Sequence, residues 1–337
     1  MKICITFFAF IGIIFADSGF GYLQIANDGK IFTSDYRGTG IYKIGYGLSP
    51  IGEPQYVRGR HATLWNDFLL FKKITSAGQI PCIYDIPNRR TYEIFSPVPS
   101  CGVPQPLGDT LIIPCGHEIL IWSGDVIQKT LYTDCSIQWV SVDTVHRRIA
   151  YIDDDGYIVI RGIDDDSFRK ISLSLGYKPI WSPDGTKIAI LGSDGVMIID
   201  ISTGEIWKCK EGLNFVWSGY GDGLFIQKTR YKYLDDIIYS DIVYFSPGIG
   251  EQNLTDSGNF YEAMPTVSPD GSRIAFITIP DGDIYSANII YDGEKVSLSD
   301  MKSVIDGFDC PNIPYIKHYN GSKSDLWVPY LHQCYDV

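Results

Sequence analysis

The chain has 337 residues, 45% of them hydrophobic and 20% charged, which provides apolar material for a substantial core and excludes a long disordered polymer. A formal net charge of −12 excludes non-specific nucleic-acid binding and a polybasic membrane patch, because both need basic surfaces. With 23 Tyr and 34 Gly, the composition favours pleated strands joined by tight turns.

At the N-terminus, Lys2 precedes an apolar run from Ile3 to Phe15, and Ala16 follows. This pattern predicts a secretory signal peptide over residues 1–16. The run is shorter than the roughly 20 residues of a membrane span, so no stable membrane insertion is expected after cleavage. The mature chain, 17–337, is expected to be one domain that is secreted, or periplasmic in a bacterium.

Short apolar segments then recur between Gly, Asp and Asn clusters. Tyr22–Ala26, Lys30–Thr33 and Gly40–Lys43 begin a first four-stranded unit. Asp67–Phe71, Cys82–Asp85 and Thr91–Phe95 read as a second. Thr110–Ile113, Glu118–Trp122 and Ile127–Thr130 read as a third. From residue 139 a repeat becomes explicit. Trp139, Trp181, Trp217 and Val267 are 42, 36 and 50 residues apart, near the roughly 40–45 residues of a propeller blade.

Two copies are nearly identical: Trp181–Ile190 and Val267–Phe276. In each, a proline (Pro183, Pro269) presets the first central turn position. An aspartate (Asp184, Asp270) can bond the local backbone, and a glycine (Gly185, Gly271) takes the positive φ that reverses the chain. Trp181, Asp184, Gly185, Asp270 and Gly271 are therefore structural repeat residues. Gln138–Ile152 and Phe215–Ile226 are weaker copies. The tail, including Ile313, Tyr315 and Asp325–Val328, is expected to complete the first blade. The expected fold is all-β, a single propeller of about seven four-stranded blades, with six or eight also compatible with the spacing.

The Ser-Pro-Asp-Gly turn followed by Lys/Arg-Ile-Ala resembles the WD-like repeat of TolB-type propellers, shared by the propellers of dipeptidyl-peptidase and prolyl-oligopeptidase proteins. The literal motif covers 181–190 and 267–276. The resemblance implies the fold and leaves function open, since one fold carries many functions. The extra α/β domain of TolB and the hydrolase domain of the peptidases have no counterpart in this length.

For chemistry, no G-x-S-x-G elbow occurs. The histidines, His61, His117, His146, His318 and His332, are dispersed. Asp153 and Asp155, with Asp164 and Asp166, flank one predicted strand and are the candidate metal ligands, calcium being the cation suited to clustered carboxylates. Tyr231 and Tyr233 are expected on the longest inserted loop and are candidate binding-surface residues. Eight cysteines are present. After an export signal, disulfides are expected between Cys82 and Cys101, Cys115 and Cys135, and Cys310 and Cys334, paired by proximity, with Cys209 a partly buried thiol. Asn253–Thr255 and Asn320–Ser322 are glycosylation sequons. The expected function is a non-catalytic module binding a protein, peptide or glycan on a propeller face. The alternative is a hydrolase or lyase at the channel mouth.

Overall fold

The computed structural model describes residues 60–305, except 138, 166, 173–175, 194, 234–235, 257–260 and 280–283, and also the strands at 24–25, 31–37, 41–48 and 55–58. The expected leader, the closing tail, Asp166, the second sequon, and Cys4, Cys310 and Cys334 lie outside the described residues.

Every regular element described is a strand. The first sheet holds β1 (Gln24–Ile25), β2 (Ile31–Arg37), β3 (Ile41–Leu48) and β4 (Gln55–Arg58). The second holds β5 (Arg60–Trp65), β6 (Phe68–Thr75), β7 (Gly78–Asp85) and β8 (Arg90–Glu93). The third has three strands, β9 (Gln105–Leu107), β10 (Thr110–Ser123) and β11 (Val126–Ile137). The fourth holds β12 (Ser141–Asp143), β13 (Arg148–Ile152), β14 (Ile158–Gly162) and β15 (Phe168–Ile171). The fifth holds β16 (Gly176–Trp181), β17 (Lys187–Gly192), β18 (Gly195–Asp200) and β19 (Ile206–Lys210). The sixth holds β20 (Gly212–Trp217), β21 (Leu224–Tyr233), β22 (Asp236–Ser246) and β23 (Gly250–Asn253). The last holds β24 (Tyr261–Val267), β25 (Arg273–Ile279), β26 (Ile284–Asp292) and β27 (Lys295–Ile305). Within each sheet, neighbouring strands are consecutive and antiparallel, as short hairpin connections require.

Successive sheets bury their faces against one another. Ile112, Ile119 and Leu131 of the third sheet pack on Ile149, Tyr151 and Val159 of the fourth. Ile158 and Ile160 meet Ile188, Ile190 and Ile199 of the fifth. Ala189 and Ile198 meet Trp217, Leu224 and Val243 of the sixth, and Phe225 and Tyr244 meet Ile274 and Phe276 of the last. β1 in turn lies against β24 and β25. In β17 and β25, residues on both sides of the strand are apolar. The middle strand of each sheet is covered on two faces, so its pattern is a continuous apolar run and not a simple alternation.

The repeated turns form as the residue types require. The Gly185 N–H donates to the Ser182 carbonyl at 2.9 Å, and the Gly271 N–H to that of Ser268 at 2.8 Å. Asp184 Oδ1 accepts from Ser182 Oγ at 2.5 Å and the Thr186 N–H at 3.0 Å. Asp270 Oδ1 accepts from Ser268 Oγ at 2.6 Å and the Ser272 N–H at 3.0 Å. Gly185 and Gly271 have φ of 69° and 72°, in the left-handed region that costs a β-carbon about 1–2 kcal/mol.

Four expectations change. β5 was not foreseen as a strand. Thr110–Ile113 and Glu118–Trp122 belong to one element, β10, in which Leu111, Ile113, Leu120 and Trp122 share one face. The parity of the buried face therefore switches between Ile113 and Leu120, where Gly116 takes φ of 60°. Tyr231 and Tyr233 are not on an inserted loop; they extend β21 and pair with Ile237 and Asp236. Cys82, Cys101, Cys115, Cys135 and Cys209 are all free thiols, so neither expected disulfide among them is formed. Proximity in the chain failed as a guide because sheet register, and not sequence distance, decides which residues face one another.

Candidate functional site

The repeat residues build a chain of polar links between neighbouring sheets. Asp143, at the end of β12, has a buried carboxylate, 1% exposed. It accepts from Arg148 Nε at 2.8 Å and Nη2 at 2.6 Å, from the Val145 and His146 N–H groups, and lies 3.0 Å from His146 Nδ1. Arg148 then reaches the next sheet, donating to the Gly185 carbonyl at 2.7 Å and lying 4.5 Å from the Trp181 ring centre. The Trp181 N–H accordingly meets Ser141 Oγ at 3.0 Å. Trp217 Nε1 donates to the Ile180 carbonyl at 3.0 Å. A β-carbon on Gly219 would lie 2.4 Å from Gly271 Cα, so the turns of the sixth and last sheets touch through backbone alone. Trp181, Gly185 and Gly271 lie at these turn-on-turn contacts, whereas Asp184 and Asp270 bond within their own turns.

A cavity of about 240 Å³ opens where β11 meets the fourth sheet. Asp134 and Cys135 come from β11, and Tyr151 and Val159 form its apolar floor. Asp153, Asp154 and Asp155, in the β13–β14 turn, and Phe168 and Lys170, on β15, complete it. Four carboxylates thus surround one ammonium. The turn exists because Asp153 accepts the Tyr157 N–H at 2.8 Å, while its second oxygen takes Lys170 Nζ at 2.7 Å. Burial alone would raise the Asp153 carboxyl, but the Lys170 and Tyr157 donors outweigh it and hold it below the usual range. The Lys170 ammonium is correspondingly raised by Asp153. Lys170 Nζ also lies 5.7 Å from the Tyr157 ring centre and 6.0 Å from that of Phe168. Burial raises both the Cys135 thiol and the Tyr151 hydroxyl, so neither is an activated nucleophile. The cavity has the chemistry of a cation receptor: anionic rim, aromatic wall, apolar floor.

Of the acidic residues read from the sequence, Asp153 and Asp155 share this cavity. Asp164 does not. It lies in the β14–β15 turn, at the far end of five-residue β14, and is bound by Arg147 through Nε at 2.5 Å and Nη2 at 3.2 Å. The strand between the turns spans about 16 Å, so Asp164 does not share a site with Asp153 and Asp155. Among the described residues, no three His, Cys, Asp or Glu side chains are grouped to hold a metal ion. Asp134, Phe168 and Lys170 were not foreseen. The sequence places Asp134 and Asp153 in separate repeat units, and only the packing of one sheet on the next joins them. The first sequon is exposed at Asn253, whose Nδ2 donates to Asp241 at 2.9 Å. Its Thr255 is buried and accepts the Ile242 N–H at 2.9 Å.

No family model matches the sequence, and no curated protein matches it. The fold is similar to solved structures. The β-propeller domain of Myceliophteria thermophila Cps50 (Swd1) is 13% identical over 72% of this chain and 86% of that one, with a TM-score of 0.51. Kluyveromyces lactis Hsv2 with complete loop 6CD is 10% identical over 84% of this chain and 98% of that one, with a TM-score of 0.52. The Hsv2 form whose loop 6CD is replaced by a Gly-Ser linker is 11% identical over the same shares, with a TM-score of 0.54. At these identities the likeness establishes a β-propeller fold.

Proposed function

We propose that the chain is a seven-bladed propeller that acts outside the cytoplasm as a non-catalytic binding module, taking a basic side chain of a protein or peptide partner into the acidic cavity. The observation that carries this reading is Lys170. An alkyl ammonium already sits between Asp153 and two aromatic rings, so the cavity accepts that chemistry. Asp134, Asp154 and Asp155 stand beside it as exposed carboxylates for a second cation. The net charge of −12 favours encounter with a basic partner. Seven blades are supported by seven sheets, each next to its successor, and by β1 against the last sheet. The paired Ser-Pro-Asp-Gly turns support kinship with TolB-type repeats, and the apolar N-terminal segment supports export.

The test is a calorimetric titration of the protein with a short lysine-rich peptide. The affinity should fall at least about tenfold, or about 1.4 kcal/mol, when Asp134, Asp154 and Asp155 all become Asn. Lys170→Gln, which vacates the cavity, should strengthen it. Unchanged affinity in both variants would overturn the reading. Displacement of the peptide by millimolar calcium, with the same three carboxylates required, would assign the cavity to a metal instead.

A further inference from the structure

The linker between β8 and β9 carries a second chemical feature. Residues 101 and 102 run antiparallel to residues 114 and 115 of β10, for the Gly102 N–H donates to the Pro114 carbonyl at 2.8 Å. This bond sets Cys101 opposite Cys115, a position in which neighbouring β-carbons come close enough for a disulfide. In this register both side chains lie on the same face of the paired segments. Cys101 is buried and Cys115 half-buried, so solvent reaches the pair from the Cys115 side.

The second sheet holds Cys101 in place. Its N–H donates to Gln79 Oε1 at 3.1 Å, and its carbonyl accepts from Lys72 Nζ at 3.1 Å. Lys72 is itself buried, at 4% exposure, and also donates to Gln79 Oε1 at 3.3 Å. A buried ammonium is costly unless anions or acceptors surround it. Here the Cys101 carbonyl and the Gln79 amide oxygen share that role.

We propose that Cys101 and Cys115 are a redox couple that closes to a disulfide by exchange with a low-molecular-weight disulfide. The neighbouring Cys115 thiol outweighs burial and holds the Cys101 thiol below the ordinary range, with the Lys72 charge adding to it. Cys101, together with burial, pushes the Cys115 thiol up. Cys115, the accessible sulfur, gives its proton to solvent and attacks one sulfur of the incoming disulfide as a thiolate. A mixed disulfide forms and one small thiolate leaves. That thiolate takes the proton from Cys101, whose sulfur attacks Cys115 and expels the second small thiolate, which is protonated by solvent. The small disulfide is reduced to two thiols, and the protein loses two protons and two electrons. The new bond ties a linker held by Lys72 and Gln79 of the second sheet to β10 of the third.

The test uses the full chain, reduced and then treated with oxidised glutathione, quenched by alkylation and mapped by mass spectrometry. A peptide pair joined through Cys101 and Cys115 is expected, with a Tm higher by about 4 °C for a loop of this size in a chain of this length. Cys101→Ser should trap glutathione on Cys115. A bond from either residue to Cys82, Cys135 or Cys209 would overturn the proposal, as would alkylation of both thiols after treatment. The mapping of the unmutated chain decides the matter even if the serine variant does not fold.

Discussion

Asp143→Ala tests the turn-on-turn architecture directly. The substitution removes a carboxylate that is 1% exposed and serves Arg148, His146 and two backbone N–H groups. Breaking a buried charge pair costs about 3–5 kcal/mol. Arg148 is 23% exposed, so water recovers part of its solvation, and an expected loss of about 3 kcal/mol follows. For a chain of 337 residues that is a fall in Tm of about 4 °C. The pH dependence has a definite sign. Burial would raise the Asp143 carboxyl, but the donors from His146 and Arg148 outweigh it and hold it low. Its contribution is therefore complete above the unfolded value of about 3.9 and is lost as pH falls through the folded value, so wild type and variant should converge below about pH 4. A double-mutant cycle sharpens the test. A β-carbon on Gly185 would lie 2.4 Å from Asp143 Oδ1 and 2.6 Å from His146 Nδ1. Gly185→Ala should cost a φ term of about 1–2 kcal/mol plus that clash, and in the Asp143→Ala background much of the clash is gone. Urea unfolding should give a coupling above about 1 kcal/mol. Additivity within about 0.5 kcal/mol, or a loss under about 1 kcal/mol for Asp143→Ala alone, would refute the reasoning.

Other outcomes follow from the same contacts. Trp217→Phe loses the bond to the Ile180 carbonyl and should cost about 1–2 kcal/mol by urea unfolding. Trp181→Phe should cost less, because Trp181 Nε1 has no hydrogen-bond partner among the described residues. Burial pushes the Cys82 and Cys209 thiols up to about 12, so in the folded protein at about pH 8 both should resist iodoacetamide and react only after denaturation. Lys170→Gln removes the main partner of Asp153, and the carboxyl should titrate at higher pH in an NMR experiment.

How much of this was legible depends on the range of the interaction. The turns at 182–185 and 268–271 were read correctly because Pro, Asp and Gly act within four residues. The strands of the fourth and fifth sheets were recognisable for a similar reason: each is bounded by its own Gly or Asp turn. β5 was missed because Gly59 alone separates Arg60–Trp65 from β4, and a single glycine is not the turn cluster that marks the other strands. The bend in β10 was missed because its two halves face different neighbours, which no local period records. Cys209 proved fully buried, and not partly, because the sixth sheet covers the outer strand β19 that carries it. The acidic cavity was half legible. Asp153 and Asp155 stand out as a cluster, but the contributions of Asp134 and Lys170 come from strands 17 or more residues away, and only the blade geometry brings them in.

The links from Asp143 to Gly185, from Trp217 to Ile180 and from Gly219 to Gly271 each join one sheet to its immediate successor. Added length at the tip of a hairpin such as β21–β22 leaves every one of them intact. A changed number of residues between the outer strand of one sheet and the inner strand of the next would shift a whole set of partners at once. Evolution can therefore lengthen such an array freely at its hairpin tips, but can alter the number of sheets only by copying or deleting a complete unit together with its linker.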